Sequence, residues 1–249
     1  MTLNYVSNKK EISQLKIPKY LYPINNLIGL LKFKMLSVSE RISLLKRLPK
    51  IKFIDSSKLS IITVLDFLKS SKQSQKTIDI FWENVVVSTM NTSTMVASAQ
   101  MFVDMMKIIF FKDKRNANII IPKVDLTAAL IQPAINKLIS TNANLATSEK
   151  VTNIKISKNK VASVETNKRI INDFDYIISA IPVYSLKRIL SEANRNTFVL
   201  PTFEYSPIVT VHVWLNENPL TEKMYNLIGS EFDWVFNHGK YVTFIKSNA

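Results

Sequence analysis

The side chains that could do chemistry here are few, and their sparseness narrows the options. The chain of 249 residues has no cysteine, which excludes thiolate nucleophiles, Cys-ligated metals and disulfides. Its two histidines, His212 and His238, lie far apart and match no metal-ligand spacing, so no metal site is expected. Neither has a nucleophile motif beside it, and no Ser-His-Asp set can be assembled. His238 follows Asn237 in a predicted loop and is the one imidazole placed to be tested as a proton donor. His212 alternates with apolar neighbours in a predicted strand, where a half-buried, hydrogen-bonded ring is expected. The three glycines, Gly29, Gly229 and Gly239, are too dispersed for a G-x-G-x-x-G turn or a P-loop. The standard backbone cradle for a phosphate is therefore missing from this stretch of sequence.

The elements that must position these groups centre on Val151 to Pro182. VTNIKI at 151–156 and VASVET at 161–166 are β-rich runs joined by SKNK, which predicts a hairpin with a four-residue connection. YIISAIP at 176–182 is apolar nearly throughout, the pattern of a strand buried on both faces, and Pro182 should end it. Before this unit the chain is mainly helical. Ser37 and Glu40 form a capping box ahead of Ile42, Leu44, Leu45 and Leu48, with Pro49 as the stop. Further helices are predicted at 63–70, 75–87 and 94–111, the last rich in methionines that serve as core filler at helical spacing. Asp125 should cap a helix over 126–139 that Pro133 kinks or divides. Residues 1–17 predict at most one strand. After a short helix beyond Pro182, SPIVTVHVWLN alternates strictly, with Val209, Val211 and Val213 on one face and Thr210, His212 and Trp214 on the other. Two strands turning near Gly229 and one at YVTFIK complete the pattern, a mixed α/β (α+β) chain.

The formal charge of +14 raises nucleic acid or anionic membrane as partners. Its distribution argues against the first. Only six of the 33 basic residues are arginine, and the lysines are scattered as on an ordinary solvated surface. A preference for anionic lipid is the better functional alternative, and no nucleic acid is expected. The N-terminal residues carry no signal-peptide core, and Val85 to Met106 is too polar to span a bilayer. A cytoplasmic protein, peripheral at the inner membrane surface if it meets lipid, is the expected setting.

FWENVVVSTMNT, IIIPKVDL, the VTNIKI hairpin leading to DYIISAIP, SPIVTVHVWLNENP and LIGSEFDWVFN occur in an order and spacing that resembles the squalene-associated FAD-dependent desaturases. These belong to the carotenoid desaturase and flavin amine oxidase group, and the hydroxysqualene dehydroxylases are the most similar of them. The resemblance covers essentially the whole chain. It implies part of an FAD/NAD(P)-binding, two-domain flavoprotein fold, without the glycine-rich N-terminal βαβ unit and the C-terminal flavin-binding segment. On that basis 1–115 is a mostly helical part of the substrate domain, 116–200 a partial FAD-binding domain, and 201–249 strands of the substrate domain. The chain would be an internal piece of the enzyme, inactive alone.

The same resemblance implies roles. Val151 stands where the fold offers backbone N–H and C=O to adenine, and Ala180 and Pro182 where small residues run beside FAD. Each is equally well an ordinary strand residue or strand end. Trp82, Asn91, Trp234 and Phe236 match substrate-domain positions and would line a tunnel for an apolar isoprenoid, although core packing explains the two tryptophans more simply. The implied reaction is conversion of hydroxysqualene to squalene in hopanoid or squalene biosynthesis. A phytoene desaturase or amine-oxidase-like flavoenzyme, and a non-catalytic basic lipid-binding module, are the alternatives.

Overall fold

A computed structural model describes residues 2–8, 12–16, 24–190 and 198–249. It divides into two compact units, Met1–Ile120 with Tyr205–Ala249, and Ile121–Glu204.

The first unit lays helices on one face of a six-stranded sheet. Strands β1 (Thr2–Ser7) and β2 (Ile12–Lys16) form an antiparallel hairpin, where the sequence suggested one strand at most. Helices α1 (Ile24–Leu31), α2 (Val38–Arg47) and α3 (Val64–Ser70) follow. The capping box is present: the Ser37 amide donates to Glu40 Oε2 at 2.7 Å, and the Glu40 amide to Ser37 Oγ at 3.4 Å. Helix α2 ends at Arg47, just before Pro49 as expected, and Pro49 sits in the first turn of a 3-10 segment, Leu48–Phe53, where its missing N–H costs no hydrogen bond. Helix α4 (Gln75–Thr77) runs through a π-helical turn, Ile78–Trp82, into α5 (Glu83–Met90). Helix α6 (Ala99–Lys107) begins at a Ser98 cap, later than the methionine pattern suggested. Met106 is buried as core filler, but Met95 and Met101 are exposed. The core gathers Phe33, Leu44, Val64, Trp82, Val86 and Phe102 against Leu3, Tyr5 and Met224 of the sheet.

The remaining strands of that sheet come from the far end of the chain: β6 (Ile208–Trp214), β7 (Met224–Ile228), β8 (Trp234–Asn237) and β9 (Tyr241–Ser247), in the order β2-β1-β7-β8-β9-β6. Strand β1 pairs in parallel with β7, closing the sheet across most of the sequence. The turn after β7 uses Gly229 at φ +70°, a left-handed conformation favouring glycine. On the side away from the helices, Val6, Leu227, Val235, Val242 and Phe244 line an open apolar groove of about 650 Å³.

The second unit is open. Helix α7 (Gln132–Ser140) follows a π turn, Thr127–Ile131, with Asp125 accepting from the Ala128 amide at 2.9 Å. Pro133 in the first turn of α7 marks the division. Strands β3 (Val151–Ser157), β4 (Lys160–Thr166) and β5 (Ile170–Ile171) form a three-stranded sheet. The hairpin connection is two residues rather than four: Lys158 and Asn159 both take positive φ (49° and 62°), and Ser157 pairs with Lys160. The expected buried strand at 176–182 is not a strand, and Tyr176 and Ile178 are each 90% exposed. An extended apolar run becomes a strand only when a neighbour takes up its ladder hydrogen bonds, and no described strand pairs with it. Helix α8 (Val183–Ile189) follows, with Pro182 at its N-cap.

Candidate functional site

Two places bring the predicted residues together, one in each unit. In the first unit it is the helix-facing side of the sheet, towards the β9–β6 edge. Strand register sets three transverse rows there: Trp234, Ile245 and Thr210; then Phe236, Thr243 and His212; then Tyr241 and Trp214. Trp234 anchors the inner end, donating Nε1–H to Ser88 Oγ of α5 at 2.9 Å and stacking on Phe236 at 6.2 Å. At the outer end Trp214 stacks on Tyr241 at 5.5 Å, and His238 lies almost parallel to the same ring, 4.5 Å away. His212 Nδ1 is 2.9 Å from the hydroxyl of buried Thr243, and its ring meets Tyr241 edge-on at 5.9 Å. The His212 ring is exposed rather than half-buried, because β6 is an edge strand at the margin of the helical layer. The strip therefore passes from a packed inner end to an open outer end, with an aromatic pair at each end and two imidazoles beside the outer one.

The His238 loop is held from below. Asn237 Nδ2 donates to Leu220 O at 2.7 Å and Glu222 O at 3.2 Å, while its Oδ1 accepts from Asn218 Nδ2 at 2.9 Å and the Gly239 amide at 2.8 Å. The His238 amide donates to Tyr241 O at 3.0 Å. Among the described residues its imidazole nitrogens accept and donate no hydrogen bond, which leaves both open to a bound molecule.

Trp82 and Asn91 lie elsewhere. Trp82 is 3% exposed, donates Nε1–H to Gln73 Oε1 at 3.1 Å, and packs edge-on against Phe81 and Phe102. Asn91 ends α5 in the left-handed region at φ 50°. Its Nδ2 donates to Ser206 O at 2.8 Å, its Oδ1 accepts from the Asn248 amide at 3.2 Å, and its carbonyl accepts from Ser206 Oγ. Those bonds tie the helical layer to the last strands.

In the second unit, Val151 and Ala180 line one cavity of about 650 Å³, together with Glu149, Thr152, Ile178 and Arg188. A volume of this size takes a drug-sized heterocycle. Lys150 spends both main-chain groups on Asn167: its N–H donates to Asn167 Oδ1 and its C=O accepts from the Asn167 amide, each at 2.9 Å. Successive residues of an extended strand aim their amides to opposite sides, which turns the N–H and C=O of Val151 away from β4. The cavity thus fits a flat group with a donor–acceptor edge. None of the three glycines lines it, so a pyrophosphate finds no backbone cradle there. Pro182 stands just outside the lining, at the start of α8.

Trp214, Tyr241 and His212 were not singled out as ligand-binding residues by the sequence, nor were Glu149, Asn167 and Arg169. Period-two alternation put Trp214 and His212 on one face, but nothing in it said that β6 would pair with β9.

Against known proteins, the flavin containing amine oxidoreductase model matches residues 4–243. The chain belongs to that family, and the family implies a flavin cofactor. Among curated proteins no sequence matches it. Its fold is shared with an oxidoreductase from Methanosarcina mazei at TM-score 0.73 and 15% identity, over 100% of this chain and 59% of that one. A protein from Pyrococcus furiosus aligns at TM-score 0.58 and 12% identity, over 81% and 53%. A Rab GDI from Plasmodium falciparum aligns at TM-score 0.50 and 14% identity, over 96% and 56%. The chain thus spans between 53% and 59% of the length of these three structures. Among the described residues no helix is long and apolar enough to cross a membrane.

Proposed function

We propose that this chain is the substrate-facing part, with the adenosine-binding edge, of an FAD-dependent oxidoreductase acting on a C30 isoprenoid in the manner of a hydroxysqualene dehydroxylase. The observation that carries it is the aromatic strip from Trp234 to Trp214, an uncharged surface suited to an unsaturated hydrocarbon chain. When bound, reduced FAD supplies the hydride that replaces the hydroxyl at the allylic carbon. Trp234, Phe236, Tyr241 and Trp214 orient the chain and exclude water from it. As the C–O bond breaks, its electron pair leaves with oxygen, and His238 hands over the proton that completes a water molecule. In the second unit the Val151 main chain takes the adenine edge, and the small side chain of Ala180 lets the nucleotide approach. Pro182 directs the following helix away from it. The exposed apolar run at 176–181 is surface that the rest of a flavin domain would cover. Trp82 and Asn91 support the site through packing and main-chain ties. The lysine-rich surface suits a cytoplasmic enzyme that takes its substrate from an anionic membrane face.

A second reading, an amine oxidase, is favoured by the family match, because stacked rings such as Trp214 and Tyr241 also hold an alkylammonium group. Product analysis separates the two. The intact gene product, loaded with FAD and reduced, is expected to convert hydroxysqualene to squalene. Oxidation of an alkylamine or desaturation of phytoene, with hydroxysqualene untouched, would replace this reading with the corresponding alternative.

A further inference from the structure

The base of the β3–β4 hairpin is built with more care than a surface hairpin requires. Val151 faces Thr166 and Asn153 faces Glu165, so β3 carries one extra residue, Thr152, at a β-bulge. The Thr152 hydroxyl donates to Glu165 O at 3.2 Å, standing in for the interrupted ladder. The Thr166 amide points away from β3, donating to Arg169 O at 2.8 Å. That leaves Val151 opposite a residue that offers it no amide, in agreement with the direction set by Lys150 and Asn167.

A knot of side chains holds this arrangement. Glu149 accepts from Arg169 Nε at 2.8 Å, from Arg169 Nη2 at 3.2 Å, and from Thr166 Oγ1 at 2.9 Å. Thr166 Oγ1 in turn accepts from the amides of Lys168 and Arg169 at 3.1 and 2.9 Å. The Glu149 side chain is only 9% exposed, although its partner Arg169 is 56% exposed. Glu149, Lys150, Val151 and Thr152 all line the cavity in succession. Bidentate Arg–carboxylate pairs fix orientation as well as distance.

We propose that Asn167 and the Glu149–Arg169 pair are positioning residues that lock the Lys150–Val151 main chain at the bulge, presenting the Val151 N–H and C=O as a rigid edge that selects adenine over hypoxanthine. This deepens the flavin-nucleotide reading above and rests on it. Adenine offers a ring-nitrogen acceptor beside an exocyclic amine donor, which complements an N–H donor beside a C=O acceptor. Hypoxanthine reverses that polarity, with a ring N–H beside a carbonyl, and leaves both partners unpaired.

The test is titration of the full chain with AMP and with IMP by NMR, together with amide hydrogen exchange at Lys150, Val151 and Asn167. The wild-type chain is expected to bind AMP weakly but about tenfold better than IMP, with Lys150 and Asn167 protected and Val151 exchanging freely until AMP is added. Asn167→Ala and Arg169→Met should each erase most of that ratio. Asn167→Asp, which keeps the acceptor for the Lys150 amide, should restore it. Arg169→Met also serves if Asn167→Ala unfolds the hairpin. AMP selectivity that survives both Asn167→Ala and Arg169→Met overturns the positioning role while sparing the nucleotide site. A wild-type chain indifferent between AMP and IMP, or binding neither, overturns the adenosine reading of the cavity and this inference with it.

Discussion

Phe102 and Ile178 show how differently the two units treat apolar side chains. Phe102 is fully buried between Phe67 and Trp82, whereas Ile178 is 90% exposed with Tyr176 and Ile177 exposed beside it. In the first unit the helices bury Leu44, Val64, Phe67, Val86 and Phe102 in one core shared with Leu3, Tyr5 and Met224 of the sheet, in which β1 and β7 pair the two ends of the chain. In the second, the described residues closed off from solvent amount to Ile154 and Leu190, which meet where β3 touches the end of α8. Both units carry good local structure: capped helices in the first and a tight hairpin in the second. Burial, not local propensity, separates them, and burial requires a partner surface.

The sharpest way to break that contrast is to truncate each side. Phe102→Ala should cost about 3–5 kcal/mol in urea unfolding of the first unit, while Ile178→Ala should stay within about 0.5 kcal/mol. Comparable losses at the two positions would mean that the second unit is as well packed as the first. Leu190→Ala comes next, at about 2 kcal/mol, because the site can partly collapse onto the neighbouring cavity. Its effect should be confined to the second unit, seen as loss of amide protection in β3 with the six-stranded sheet unchanged. Ser37→Ala should remove about 1 kcal/mol by leaving the Glu40 amide without its cap, read from the thermal midpoint.

The smallest effect expected is on acidification. Hydrogen bonds from Arg169 and then Thr166 hold the Glu149 carboxyl below the usual carboxylate range. A depressed pKa contributes stability above the unfolded value of about 4.3, and that contribution fades as pH falls through the folded value. Chemical shifts of Thr166 and Arg169 should therefore move only in the acid range, and Glu149→Gln should abolish the movement. A titration centred at or above the unfolded value would show that the pair does not hold the hairpin base.

Much of the first unit was legible in advance. The Ser37–Glu40 box, the short helix over 63–70 and the alternation of β6 all depend on residues within a turn or a few positions of one another. The flavin connection was legible too, through the order of segments such as DYIISAIP and SPIVTVHVWL, and the family match is to flavin containing amine oxidoreductases. The functional surfaces were less so. Trp234 and Phe236 were named, but Trp214, Tyr241 and His212 join them only through pairings of β6, β8 and β9. Val151 was named, while the knot that aims its amide depends on a one-residue bulge invisible in VTNIKI.

By itself, then, the sequence determined the Ser37–Glu40 cap, the β runs of β3 and β4, and which side chains of β6 share a face, because those outcomes are settled by torsional preference and hydrogen bonds within a turn or two. Tertiary structure alone decided the parallel meeting of β1 with β7, the gathering of His212, Trp214, Tyr241 and His238 into one strip, and the fate of the apolar run at 176–181. Each of those depends on whether a distant segment arrives to complete a ladder or cover a face, and chain closure over such distances is decided by the whole set of contacts at once.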